Sequence, residues 1–149
     1  MIIDNASLQD SKDIFNWRND QKTRAMYVKG EEITWQHHSE WFSKVMKSPN
    51  NIIYIGRDKK SKTSIGMVRF DIIQDQNLSE VSINLNPIWR GKRVSSELLS
   101  GAIKQFKSIY DIPILAKVKK KNIASVKCFE RSLFQLEDKD EDYYYFGFK

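Results

Sequence analysis

Three strand-like segments between residues 51 and 86, separated only by short polar turns, constrain this chain more than any other feature. "NIIYIGR" (51–57), "TSIGMVRFDII" (63–73) and "SEVSINLN" (79–86) read as successive strands joined by "DKKSK" and "QDQN", which predicts an antiparallel meander. In the third segment Val81, Ile83 and Leu85 fall on one face, and Glu80, Ser82, Asn84 and Asn86 on the other, the period of two expected of a strand. One face of that strand is therefore polar and available for function.

The rest of the chain alternates helix and strand around this meander. "MIID" is a short opening strand. Ser7, three residues before Asp10, offers a capping-box variant for a helix through Trp17, with Leu8, Ile14 and Phe15 for its inner face and an end near "RND". Residues 18–33 read as an irregular connection. Thr34 caps a second helix in which Trp35, His38, Phe42 and Val45 recur at spacings of three and four before "SPN" stops it. Past Pro87, the positions of Val94, Leu98, Ala102, Ile103 and Phe106 predict a helix from Val94 or Ser95 to about Ser108. "PILAKVK" (113–119) is a strand and "NIASVKCFERS" (122–132) a helix capped by Asn122. "LFQLED" and "DYYYFGF" form a closing hairpin around "KDE". The order is mixed α and β, antiparallel first, with one strand, helix, strand step after it.

With 149 residues, 40% of them hydrophobic, the chain fits a single domain over 1–149 with a real core. No apolar run reaches the length of a membrane span, and "MIIDNASLQD" lacks the basic-then-apolar pattern of a secretory signal, so a cytoplasmic protein is expected. The single cysteine, Cys128, cannot form an internal disulfide and has no neighbour at metal-ligand spacing, so it reads as a core filler. A net charge of +6 favours anionic partners. "KVKKK" (117–121) lacks interleaved exposed aromatics, and no signature for reading bases is present, which makes a nucleic-acid module the weaker alternative.

The basic turn "WRGKRVSS" (89–96) leads directly into the helix after the polar strand. Helix starts carry unpaired N–H groups and partial positive charge, so they receive anions when the preceding loop folds around the ligand. Arg90, Lys92 and Arg93 add full charges there, and a phosphate or pyrophosphate is the natural guest. With Gly91 as its one glycine, the local pattern by itself also admits an ordinary basic loop.

The longer pattern "SINLNP", "WRGKRVSS", amphipathic helix, strand and "NIASVKCFERSLF" resembles the GCN5-related N-acetyltransferase (GNAT) family over roughly residues 50–148. That resemblance implies a central, mostly antiparallel sheet with helices on both faces, and acetyl coenzyme A (acetyl-CoA) as co-substrate with no metal. In the family the loop is written Q/R-x-x-G-x-G/A and its amides hold the coenzyme pyrophosphate. Arg90 fills the first position, while Arg93 and Ser95 stand where the two glycines belong. Coenzyme contacts are accordingly expected from Arg90, Gly91, Lys92, Arg93, Val94, Ser95 and Ser96, from main chain near Ile83 and Leu85, and from Asn122. The Arg93 guanidinium is expected to turn outward or to fold onto a coenzyme phosphate.

"FNWRNDQKTR" (15–24) and "HSEWF" (38–42), with "GMVRFD" and "EVSINL", resemble the family branch that acetylates amino sugars of nucleotide-linked precursors, as in the pseudaminic acid pathway. The ribosomal protein acetyltransferase branch shares the W-R opening. The resemblance thus implies direct transfer of acetyl to a primary amine in a ternary complex. The amine belongs to a nucleotide-linked amino sugar or, alternatively, to a protein N-terminus; a degenerate binding domain is the second alternative. Arg18, Arg24 and Trp41 are the acceptor-binding candidates, since arginines suit a diphosphate and tryptophan stacks on a sugar or base. Glu80, on the polar face of its strand, is the best placed general base, with His38 as runner-up. Each has a structural reading too, Glu80 as a cross-strand ion-pair partner and His38 as a core histidine. Where many members place an acidic tyrosine this chain has Phe129, leaving solvent, one of Tyr143, Tyr144 and Tyr145, or unassisted departure of the thiolate. The partner is a small molecule, and the protein a monomer or homodimer.

Overall fold

A computed structural model describes residues 1–26 and 30–149. The strands are β1 (Ile2–Asn5), β2 (Asn51–Arg57), β3 (Ser64–Ile73), β4 (Leu78–Leu85), β5 (Ile114–Lys119), β6 (Gln135–Lys139) and β7 (Tyr143–Phe148). They form one sheet in the order β1-β2-β3-β4-β5-β7-β6, in which β4 and β5 are parallel and the other neighbours antiparallel. The expected meander is β2-β3-β4. The helices are α1 (Ser11–Arg18), α2 (Gln21–Ala25), α3 (Trp35–Lys47), α4 (Ser95–Lys107) and α5 (Ile123–Arg131).

Helices cover both faces of the sheet, which is why β2 and β3 read as nearly continuous apolar runs. Ile53, Ile55 and Met67 pack under α1 and α3 with Ile14, Trp17, Phe42 and Val45. On the opposite face Tyr54, Val68, Phe70 and Val81 pack with Leu98, Phe106, Phe129 and Phe146. The Phe70 and Phe106 rings stack at 4.2 Å between centroids. Gly56 and Gly66 face each other across β2 and β3. A Cβ on Gly56 would stand 2.5 Å from Leu98 Cδ1, and one on Gly66 3.0 Å from Leu98 Cδ2. The two glycines are therefore a slot for Leu98, whose full burial stabilises the fold by about 2 kcal/mol and fixes where α4 begins.

Three local expectations are corrected. Leu8 does not serve an inner face: it is 67% exposed, because a 3-10 turn at Leu8–Asp10 precedes α1 and rotates it outward. The Ser7 N–H does donate to the Asp10 carboxylate at 2.9 Å, but Asp10 is also drawn inward by Arg57, at 3.0 Å. Trp35, 44% exposed, lies at the rim of the α1–α3 contact edge-on to Phe15 rather than in the core. Residues 18–33 are not wholly irregular, since Asp20 caps α2 by accepting from the Thr23 N–H at 3.1 Å; positions 27–29 of that connection lie outside the described residues.

Candidate active site

β4 and β5 pair only at Ser79↔Ile114 and Glu80↔Leu115, and from Val81 onward they diverge. β4 stays paired with β3 as far as Leu85, and β5 with β7 as far as Lys119. Each strand is thus held by its outer neighbour, while the inner edges of the fork have no strand partner among the described residues. Main-chain groups along a strand edge that no neighbouring strand pairs need other partners, which a ligand can supply. A cavity of about 470 Å³ opens along the fork, bounded by Val81 to Leu85, the turn before α4, Lys117 to Lys119, the start of α5, and Lys22, Thr23 and Met26 of the α2 region.

The turn is shaped by two left-handed residues, Gly91 at φ 74° and Arg93 at φ 58°. Glycine takes this conformation freely and arginine at a cost of about 1 kcal/mol. Arg93 thus adopts the backbone that a glycine there would supply, and it is exposed at the edge of the cavity that it helps to line. Val94 occupies the N-cap position of α4 and makes no side-chain capping bond, whereas Asp20, Thr34 and Asn122 cap α2, α3 and α5. The first amides of α4 therefore lack the oxygen that a capping side chain provides, and Val94 and Ser95, at that helix start, line the cavity.

Of the residues expected to hold a coenzyme, Ile83, Leu85, Arg90, Gly91, Arg93, Val94, Ser95 and Asn122 line the cavity, and Lys92 and Ser96 do not. Lys92 lies with its ammonium 5.1 Å from the Trp89 ring centroid. Arg90 is already engaged: its guanidinium pairs with Asp20 and donates to Thr23 Oγ1 at 2.9 Å. That pairing holds the Asp20 carboxyl below its usual range, against the opposing effect of burial. Asn122 uses its side-chain oxygen to cap α5 at Ser125 N–H.

Glu80 is exposed at the apex of the fork, opposite Asp71 of β3, one residue short of the cavity wall. His38 is fully buried away from it, among Phe15, Trp35, Trp41 and Phe42. Its Nε2 lies 2.9 Å from the Ser11 carbonyl and its Nδ1 3.2 Å from an Arg18 guanidinium nitrogen. Burial chiefly, and Arg18 next, push its pKa down, with the Ser11 contact opposing. The structure does not bring Arg18, Arg24 and Trp41 to the cavity: Arg18 lies 4.3 Å over the Trp41 ring, and Arg24 Nε donates to the Asn19 carbonyl at 3.2 Å.

Phe129 and Tyr143 both line the cavity. Tyr145 instead donates to Asp140 at 2.6 Å, which pushes its pKa up to about 12, and Tyr144 packs against the main core. Cys128 is buried as expected but borders the cavity; burial pushes its thiol up, offset in part by a Ser95 hydrogen bond and by Arg131. Sequence reasoning missed Lys22, Thr23 and Met26, because α2 is too short for periodicity to find. The D-x-x-T pattern of Asp20 and Thr23 was its one legible signal. Among the described residues no cluster of three or more His, Cys, Asp or Glu side chains is arranged to hold a metal, and no helix is long and apolar enough to cross a membrane.

A family model for the acetyltransferase (GNAT) domain matches residues 1–135. No curated protein matches the sequence. Among solved structures, the fold is similar to spermidine N-acetyltransferase from Vibrio cholerae in complex with CoA and spermine, with TM-score 0.85 and 18% identity over 99% of this chain and 94% of that one. It is also similar to a domain from Methanocaldococcus jannaschii, with TM-score 0.82 and 22% identity over 99% and 96%. At these identities the likeness establishes the fold.

Proposed function

The chain belongs to the GNAT acetyltransferase family, a family of acetyl-CoA-dependent N-acetyltransferases, and from that premise we propose that its acceptor is a primary amine on an anionic small molecule, a nucleotide-linked amino sugar. One observation carries the reading. The cavity is bordered by Lys22, Arg93, Lys117 and Lys119, besides Arg90 with its charge already paired to Asp20, and among the described residues no carboxylate lines it. A polyamine such as the one bound to the Vibrio enzyme needs carboxylates to replace the water around its ammonium groups, and like charges facing it are unfavourable. A nucleotide diphosphate gains from the same wall.

The residues fit the coenzyme on three counts: an uncapped helix start, a turn already curled by Gly91 and Arg93, and β4 and β5 that cease to pair with each other past Glu80 and Leu115. Trp89, beside them, holds a buried indole N–H with no acceptor among the described residues. Amides around 91–96 and the Arg93 guanidinium hold the diphosphate. Main chain near Ile83 and Leu85 pairs with the pantetheine arm, and an N–H there polarises the acetyl carbonyl. Glu80, on the same strand face as Ser82 and Asn84, accepts the amine proton through water along the fork. Tyr143 is the one tyrosine of its run at the cavity, so protonation of the departing thiolate falls to it or to solvent. His38 is left with a structural part, locking α1 to α3.

A thiol-release assay with acetyl-CoA tests the reading against amino-sugar nucleotides, N-terminal peptides and spermidine. Turnover is expected with the first group, with KM rising at high salt as the cationic wall is screened. Faster turnover with spermidine, or with peptides alone, would refute the assigned acceptor and leave the family chemistry intact.

A further inference from the structure

Asp20 belongs to none of the expected functional groups, yet it joins two walls of the cavity. Its carboxylate caps α2 through the Thr23 N–H at 3.1 Å and receives the Arg90 guanidinium from the turn before α4. Thr23 closes the triangle, its hydroxyl 3.3 Å from Asp20 and 2.9 Å from Arg90. The Asp20 and Arg90 side chains are 23% and 34% exposed, so the pair is partly shielded from solvent. Lys22, Thr23 and Met26 line one side of the cavity and Arg90, Gly91 and Arg93 another. α2 is five residues long, too short to be stable in isolation, and has no buried residue, so neither propensity nor a core face holds it in place.

We propose that Asp20 is a positioning residue that couples the coenzyme turn to the acceptor-side wall through Arg90. Ordering of the turn by coenzyme then fixes α2, and with it Lys22 and Met26. The proposal rests on the reading of this cavity as the shared site of coenzyme and acceptor. The geometry also explains why an arginine at position 90 need not touch a phosphate: it acts across the cavity mouth, on Asp20.

Asp20→Asn separates coupling from capping, because asparagine caps a helix as well as aspartate does and only the charge facing Arg90 is lost. Amide hydrogen exchange at Thr23 and Arg24 is the readout. Without ligand, exchange in Asp20→Asn is expected to be faster by about fivefold, the upper end for a partly exposed ion pair. In the wild type, saturating CoA slows exchange at these amides further, and Asp20→Asn loses that slowing. By linkage its affinity for CoA falls by no more than the same factor. Arg90→Gln is expected to give the same unliganded exchange as Asp20→Asn, and the double variant no more than either single change.

Unliganded exchange at wild-type rates in Asp20→Asn, or independent multiplication of the two single effects, would overturn the proposal. These arms need no acceptor, so they stand even if the amino-sugar reading fails. A wild type that binds no CoA would sink that reading while the unliganded exchange still judged the clamp. With an acceptor in hand, its KM is expected to rise about fivefold in Asp20→Asn with kcat unchanged, a split that loss of folded protein does not produce.

Discussion

Replacing Arg93 by glycine isolates what its side chain does. The residue already sits at φ 58°, so the substitution leaves the path of the turn intact, and the α4 amides keep their aim. Relief of the left-handed strain, about 1 kcal/mol, is offset by a similar gain in freedom of the unfolded chain, so the thermal midpoint should hardly move. What is lost is one exposed guanidinium at the cavity edge. A charge-assisted hydrogen bond to a phosphate there is worth about 1.4 kcal/mol, or about tenfold in Kd. Isothermal titration should therefore show CoA binding about tenfold more weakly in Arg93→Gly, with the gap closing as salt is raised. Pantetheine, which lacks the diphosphate, should bind both proteins equally. CoA binding to Arg93→Gly at wild-type strength or tighter would mean that the arginine is only tolerated where the family has glycine, and would refute the contact.

Two further outcomes are expected. Glu80→Gln should lower kcat/KM by about 100-fold at pH 7, the lower end for a general base, with the loss shrinking at high pH as the acceptor amine deprotonates unaided; a loss constant with pH would remove Glu80 from that role. His38 is held below its unfolded value of 6.5 by burial, so the unfolded chain binds the extra proton as pH falls. Stability should then decline from about pH 7 toward 5, by at most about 1.4 kcal/mol per pH unit for this group, and denaturant midpoints of His38→Gln should show a flatter decline.

The alternating and apolar runs of β2, β3 and β4, the amphipathic spacing of α4, and the Thr34 and Asn122 caps were all legible, because each is set by neighbours within a few residues. The turn before α4 was legible for the same reason, as a basic stretch between a strand and a helix. The α2 side of the cavity was not. Arg18 and Trp41 have the right chemistry in the right segment, yet they stack on each other beside His38, since cation and aromatic satisfy one another before any ligand arrives. Lys22 and Met26 carry no pattern and reach the cavity only because α2 is tied down across it.

The sequence by itself determined the order and type of the elements, and the presence of a basic turn leading into a helix start, because periodicity and capping are local. Only the tertiary structure decided that β4 and β5 part after Glu80, that Arg93 takes glycine's backbone, and that Arg90 turns to Asp20. Those outcomes depend on which outer strand holds each edge and on what lies across a gap of 70 residues in the chain. No local rule carries that information, since long-range pairings compete with one another and are settled only when the whole core packs.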